Sequence, residues 1–415
     1  MTAPTTRELI KVFGRIGILS FGGPAAQIAL MHRELVETRD WLTEEGYLRA
    51  LSLCMLLPGP EAMQLATYAG WRLRGVQGGL IAGLLFVIPG ALVILCLALG
   101  YALYGQVPLV QAAFEGIKAT VIVIVLQALL KVSRKALTQS SALVLAGLAF
   151  IALFFVGLPF PLIIIAAALF GLFFRNAPSP GAAVLQARAP DTLRTLVIWT
   201  GLWSAPVFAL WATDQVFLTQ IALFFSKLAV VTFGGAYAVL AYMTQTVVQD
   251  FGWITTDEMI DALGLAETTP GPLILVTEFV ALLAGFAKGG IGMAVAAGAV
   301  ALWVTFTPCF LWIFLAGPYL DKIAARPRLS AAMNAITAAV VGVILNLAIW
   351  FAIHVLFDQI GEHAVLAAPV PELTSLDASA LALTLAAACL LLWLKRGMVE
   401  TLAIMAAAGL ALAAF

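Results

Sequence analysis

Four short breaks of glycine and proline interrupt an otherwise apolar chain: Gly22-Gly23-Pro24, Pro58-Gly59-Pro60, Gly234-Gly235 and Pro270-Gly271-Pro272. Proline lacks an amide hydrogen and clashes with the preceding turn, and glycine costs about 1 kcal/mol against alanine, so each break ends one helix and starts another. The amides at the start of a half-helix have no internal partner and carry about half a positive charge, which binds anions without a permanently charged side chain. Polar residues cluster beside the breaks. Ser20, Gln27, Gln64 and Thr232 can donate hydrogen bonds to an oxyanion, and Arg15 and Lys227 precede the two Gly-Gly breaks by about two turns. Three acids accompany them. Glu61 follows the first Pro-Gly-Pro directly, Glu267 sits three residues before the second, and Glu278 lies further along the same segment. A carboxylate at membrane depth costs about 2.5–3.5 kcal/mol on insertion scales, so each is a candidate proton carrier.

Each of these readings has a structural competitor. A break can be a packing kink, Arg15 and Lys227 can snorkel to the interface, and Glu61 can simply complement a helix dipole. Glu115 and Lys118, three residues apart, read as a self-neutralising pair. Trp41 and Trp253 read as interfacial anchors followed by helix caps.

The elements that position these residues occur twice. Residues 13–60 align with 225–272 at a constant offset of 212, without a gap, and 16 of the 48 positions are identical. Charge and size persist where identity fails, as in Arg15/Lys227, Ser20/Thr232 and Glu45/Asp257. Function is therefore expected where two copies of one unit meet.

Composition places that unit in a bilayer. Of 415 residues, 63% are hydrophobic and 11% charged, with a mean hydropathy of +1.05, which no water-exposed shell can accommodate. Runs such as Gly78–Tyr104 exceed the roughly 20 residues needed to cross a membrane as a helix. The expectation is an all-α polytopic membrane protein of two homologous halves, each opening with two broken helices that cross or re-enter. The halves are 1–174 and 212–415, joined by a linker at 175–191 and an extra membrane helix at 192–211. Six segments plus that extra one are an odd number, so the second copy starts on the opposite side and the repeat is inverted. Arg72/Arg74, Lys131/Arg134/Lys135, Lys322/Arg326/Arg328 and Lys395/Arg396 then share one side, which the positive-inside rule makes cytoplasmic along with the N-terminus.

Other classes fit poorly. Balanced counts of 22 basic and 22 acidic residues exclude a nucleic-acid binder. Cys54, Cys96, Cys309 and Cys389 lie far apart in apolar stretches, and His32, His354 and His363 form no ligand spacing, so neither a metal nor a cofactor is expected. No removable signal peptide is expected at Met1–Thr6. An intramembrane enzyme would need a nucleophile with its base or a His-Glu-x-x-His set, and neither spacing is present. A passive channel is the remaining rival, which only flux separates from a transporter.

Ser20-Phe21-Gly22-Gly23-Pro24, Leu57-Pro58-Gly59-Pro60-Glu61, Thr232-Phe233-Gly234-Gly235 and Glu267-Thr268-Thr269-Pro270-Gly271-Pro272, in this order, resemble the chromate ion transporters in their long, two-half form. The resemblance implies a secondary transporter of the inner membrane that exports chromate, a tetrahedral dianion, on the proton gradient. Met55 stands where a Gln is associated with chromate resistance in that family, and Ala236 stands where the first copy has Pro24. Both departures bear on which anion is carried, with sulfate or an organic acid as alternatives. The expected substrate-binding set is Arg15, Ser20, Gly22, Gly23, Gln27, Gly59, Gln64, Lys227, Thr232, Gly234, Gly235 and Gly271, and the proton-coupling set is Glu61, Glu267 and Glu278. Membrane lipid and protons complete the expected partners, with a homodimer as one option for an assembly that the sequence does not decide.

Overall fold

The structure, a computed structural model, describes residues 4–174, 192–233, 236–320, 326–362 and 368–414. The expected linker at 175–191 lies outside the described residues, as do Gly234 and Gly235. Helices dominate, as the composition requires of a chain that must satisfy its backbone in lipid. In order they are α1 (Thr6–Leu19), α2 (Gly23–His32), α3 (Glu44–Leu56), α4 (Glu61–Tyr104), α5 (Pro108–Ala136), α6 (Ser140–Phe154), α7 (Phe160–Phe174), α8 (Thr192–Ala212), α9 (Val216–Val231), α10 (Ala236–Thr244), α11 (Thr256–Thr268), α12 (Val276–Ala316), α13 (Pro327–Leu356), α14 (Ala378–Ala388) and α15 (Met398–Ala413). A small antiparallel pair, β1 (Ile360–Glu362) with β2 (Pro369–Pro371), follows α13. The chain is a polytopic helical membrane protein of two related halves.

The helices form two compact units, and each draws on both sequence halves. The first comprises Met1–Leu99, Asn176–Ala236 and Thr269–Ser330. The second comprises Gly100–Arg175, Tyr237–Thr268 and Ala331–Phe415.

Within the first unit the broken segments of the first half fold back on themselves as hairpins. Arg15 on α1 lies 3.8 Å from Glu34, the Tyr47 hydroxyl of α3 donates to the Ile28 carbonyl at 2.6 Å, and Arg74 reaches back to the Pro4 carbonyl at 2.7 Å. The start of α1, the end of α2, the start of α3 and Arg74 therefore share one rim, while Ser20 and Pro58–Pro60 lie at the inner ends. At 1.5 Å per residue α1 and α3 are each about 20 Å long, about two-thirds of a hydrocarbon core.

At 44 residues, α4 would span more than twice a bilayer if straight, but the chain reverses at Arg74 and Gly75, where φ/ψ are −142/31° and 63/−155°. The reversal sets Gly70 against Gly78 so closely that a Cβ on Gly70 would lie 2.2 Å from the Gly78 carbonyl oxygen. Residues 61–73 are thus the return arm of the second hairpin, and 76–104 form the spanning arm. Gly289 and Gly290 repeat the same reversal in α12, where Gly285 meets Met293 and Gly298 meets Leu282. Reciprocal indole bonds tie α12 to α8, from Trp203 to the Val304 carbonyl (3.1 Å) and from Trp303 to that of Leu202 (2.9 Å).

In the second unit α5 is central, packing on α11, α14 and α15. Ala119, Val123 and Ile124 join Leu383, Leu402 and Met405 in a shared apolar cluster. Small residues allow the approach: a Cβ on Gly116 would meet the Met405 carbonyl at 1.8 Å, and one on Gly409 the Ala112 carbonyl at 2.2 Å.

Candidate functional site

Breaks from the two copies meet inside the first unit through reciprocal backbone bonds. Gly59 N–H donates to the Thr232 carbonyl at 2.8 Å, and Gly271 N–H donates to the Ser20 carbonyl at 2.9 Å. Glycine is required at both donors, because φ is +114° at Gly59 and +89° at Gly271, a region side chains disfavour. Exchanging the two copies, by moving the donor forward and the acceptor back by 212, converts one bond into the other. The same offset relates Ser20 Oγ on the Ile16 carbonyl to Thr232 Oγ1 on that of Leu228, both at 2.6 Å. It also relates the Thr43 cap of α3 to the Thr255 cap of α11, and the π-helical turn Arg33–Glu37 to Gln245–Asp250.

Around these bonds lies a small cavity lined by Pro24, Gln27, Pro60, Glu61, Ala62 and Thr232 together with Ala236, Pro272, Leu273 and Ile274. These residues include the starts of α2, α4 and the single turn Leu273–Leu275 that leads into α12, together with Ala236, the first residue of α10, whose remaining residues belong to the second unit. Three helix N-termini of the first unit, each with about half a positive charge, thus face one site lined by no lysine or arginine among the described residues. No side chain caps α2, and since Pro24 has no amide hydrogen, Gly23 and Ala25 carry the amides of its first turn. About 10 Å³ is open to the centre of a water molecule, room for one water, so the site is closed around its breaks.

The polar side chains are committed to holding the breaks in place. Gln27 Nε2 donates to the Gly271 carbonyl (2.6 Å) and the Ser20 carbonyl (3.2 Å), and Gln64 Nε2 donates to that of Pro58 (2.6 Å). Those carbonyl partners fix the amide orientation and leave Gln27 Oε1 and Gln64 Oε1 buried without a partner. Since the hydroxyls of Ser20 and Thr232 are also spent on their own helices, anion-binding donors in the cavity come from the backbone. Gly22 and Gly23 take φ of +85° and +76° to start α2.

Arg15 and Lys227 do not line the cavity. The Arg15 side chain is 59% exposed beside buried Glu34, which also binds Arg39, and Lys227 is exposed on α9. Of the three acids, Glu61 lines the cavity at the first turn of α4. Glu278 is buried in α12 of the same unit, with Oε2 unpartnered. Glu267 is buried in the second unit, where Tyr237 Oη donates to its Oε1 at 2.5 Å. Sequence reasoning missed that tyrosine, thirty residues upstream, and missed Cys309, whose Sγ would lie 3.0 Å from a Cβ on Gly59. It also missed Asp261, a buried acid in the apolar half of α11, although a carboxylate one turn beyond Asp257 was a readable signal.

A larger cavity of about 590 Å³ opens at the outer rim of the first unit, lined by Pro4, Arg39, Trp41, Thr43, Tyr68 and Arg72 among others. His32 staples this rim. Its ring nitrogens lie 3.0 Å from Glu37 and 2.7 Å from Glu44, and the hydrogen bond to Glu44 is the main cause that raises its pKa above the ordinary histidine value.

The family description for chromate transporters matches residues 7–172 and 219–413, one match for each half. A probable chromate transport protein of Synechococcus elongatus is 34% identical over 362 residues, covering 82% of this chain and 83% of its own. The chromate transport protein of Cupriavidus metallidurans is 32% identical over 364 residues, with 86% of each chain covered. An uncharacterized transporter of Bacillus subtilis is 29% identical over 166 residues, which is 93% of its length but 39% of this one. No solved structure matches.

Proposed function

Because the chain belongs to the chromate transporter family, a family of transporters and not enzymes, we propose that it exports chromate from the cytoplasm across the inner membrane on the proton gradient. The observation that carries this reading is the convergence of three helix N-termini of the first unit on one cavity. Their backbone amides suit a tetrahedral dianion with acceptor oxygens on every side. Re-entrant arms in two inverted copies provide elements that can open the cavity to one face and then the other, with the lysine- and arginine-rich loops and the N-terminus on the cytoplasmic side. Sulfate has the same shape and charge, and a lining of amides reads little else, so it is the competing substrate.

Glu61 decides the electrostatics. Ionised, its carboxylate occupies the field of the N-termini and opposes an anion; protonated, it leaves that field to the substrate. Proton and anion binding at this cavity are therefore mutually reinforcing, so Glu61 sets how tightly the anion is held and the proton that drives export is loaded elsewhere. In sealed vesicles with an imposed pH gradient, labelled chromate should move only with the gradient, and parallel labelled sulfate tests the cargo. Sulfate moving equally well would reassign the cargo, and movement of neither would overturn the reading. Glu61→Gln should flatten the pH dependence of chromate binding, measured by equilibrium titration of purified protein from acid to alkaline pH. A variant that keeps the wild-type dependence would remove Glu61 from the linkage.

A further inference from the structure

Export driven by inward protons needs a carboxylate that loads its proton apart from the anion, because a carboxylate sharing the anion cavity promotes joint binding. The second unit contains such a group. Asp261 on α11 is only 3% exposed; Tyr101 Oη donates to its Oδ2 at 2.7 Å, and its Oδ1 is buried without a partner. One turn nearer the end of the helix, Asp257 is 69% exposed and binds Lys118 Nζ at 3.0 Å, and Glu115 binds the same ammonium at 3.2 Å. Asp261 feels the charge of Lys118 without bonding to it. In the first copy the equivalent position is Arg49, an exposed cation paired with Glu45, so the buried acid is not inherited from the repeat.

We propose that Asp261, with Tyr101 on one oxygen and Lys118 guarding its approach, is a proton-binding site; on the transport reading above, it is where the driving proton is loaded. An unpaired carboxylate oxygen away from water is costly, and a proton is the smallest charge that removes the cost. A metal cation would need about six oxygens, whereas only one unengaged acid oxygen is available here among the described residues. The approach is graded. Exposed Asp257 and Glu115 collect protons at the mouth, Lys118 bridges them, and Asp261 lies about 6 Å further along α11. Another 9 Å along the helix stands Glu267, also held by a tyrosine, three residues before the second Pro-Gly-Pro break. The other charged groups facing this helix are accounted for: Glu258 closes the Thr255 cap, His354 of α13 lies within the field of Asp257, and Glu400 of α15 is engaged with Arg396.

The test is infrared pH-difference spectroscopy of the purified full-length protein, paired with transport in sealed vesicles. The expected result is a carboxylic C=O band that titrates in the wild type, disappears in Asp261→Asn and moves in Tyr101→Phe. Asp261→Asn should also lose about tenfold or more of its pH-gradient-driven chromate flux while keeping chromate–chromate counterflow, which shows that it is folded. A titrating band unchanged in Asp261→Asn, or pH-driven flux equal to wild type in that variant, overturns the proposal. A sodium gradient that replaces the pH gradient also overturns it. If the band behaves as expected but wild-type flux ignores the pH gradient, the proton site holds and the proton-driven reading fails.

Discussion

At the scale of single residues, Gly59 and Gly271 are equivalent in the repeat but differ in their surroundings. A Cβ on Gly59 would approach Gln64 Nε2 to 2.9 Å and Cys309 Sγ to 3.0 Å, whereas on Gly271 its nearest neighbour would be the flexible Leu275 Cδ1 at 3.2 Å. Both substitutions pay the left-handed backbone cost of about 1–2 kcal/mol. Gly59→Ala should therefore lower thermal stability more than Gly271→Ala, and both should lose transport. Melting of the detergent-solubilised variants, with flux assays alongside, checks the order. These glycines were legible from the sequence because two Pro-Gly-Pro motifs lie 212 residues apart. Asp261 and the Tyr237–Glu267 bond were not, since a side chain's burial and its partner depend on packing that spacing does not encode. The sequence put Gln27 and Gln64 beside the breaks, but could not reveal that their NH2 groups would be taken by backbone carbonyls.

Among elements, the re-entrant hairpins were the part the sequence left open. Counting apolar residues cannot separate two half-length arms from one crossing, and parity is the same either way. The reversal at Arg74 and Gly75 makes the arms antiparallel within the first unit, through contacts such as that of Thr67 with Gly83, and we propose that they re-enter. Thr38 and Gln77 should consequently be labelled from one side of the membrane. Single cysteines at these exposed positions, in a background lacking Cys96, should react with an impermeant maleimide in the same vesicle orientation; opposite labelling would refute re-entry. The rim they frame should respond to pH. A histidine whose folded pKa is raised gives stability that is complete below its unfolded pKa, near 6.5, and lost as pH rises through the higher folded value. Hydrogen-exchange protection of residues 38–43 should fall as the solution turns alkaline, and His32→Gln should remove that change.

On the scale of the whole molecule, the duplication read from the sequence does not coincide with the compact units, because α9 and α12 of the second half join the first unit while α10 and α11 join the second. Long-range contacts sort these helices, which a local alignment cannot do. Such interleaving predicts that residues 1–174 and 192–415, expressed together as separate chains, recover transport, whereas either alone is degraded. Co-purification and flux from the paired fragments provide the check. The two backbone bonds at the breaks have a bearing on ancestry. In each, the glycine donor comes from one copy and the carbonyl acceptor from the other, so a solitary copy has both an amide and a carbonyl to satisfy, each worth about 1–3 kcal/mol if left bare in a dry interior. Two half-length chains paired about a two-fold axis would satisfy both at once. Fusion into a single gene then preserves a partnership that the unlinked subunits would have to find by collision, and it frees each copy to lose the residues the other supplies.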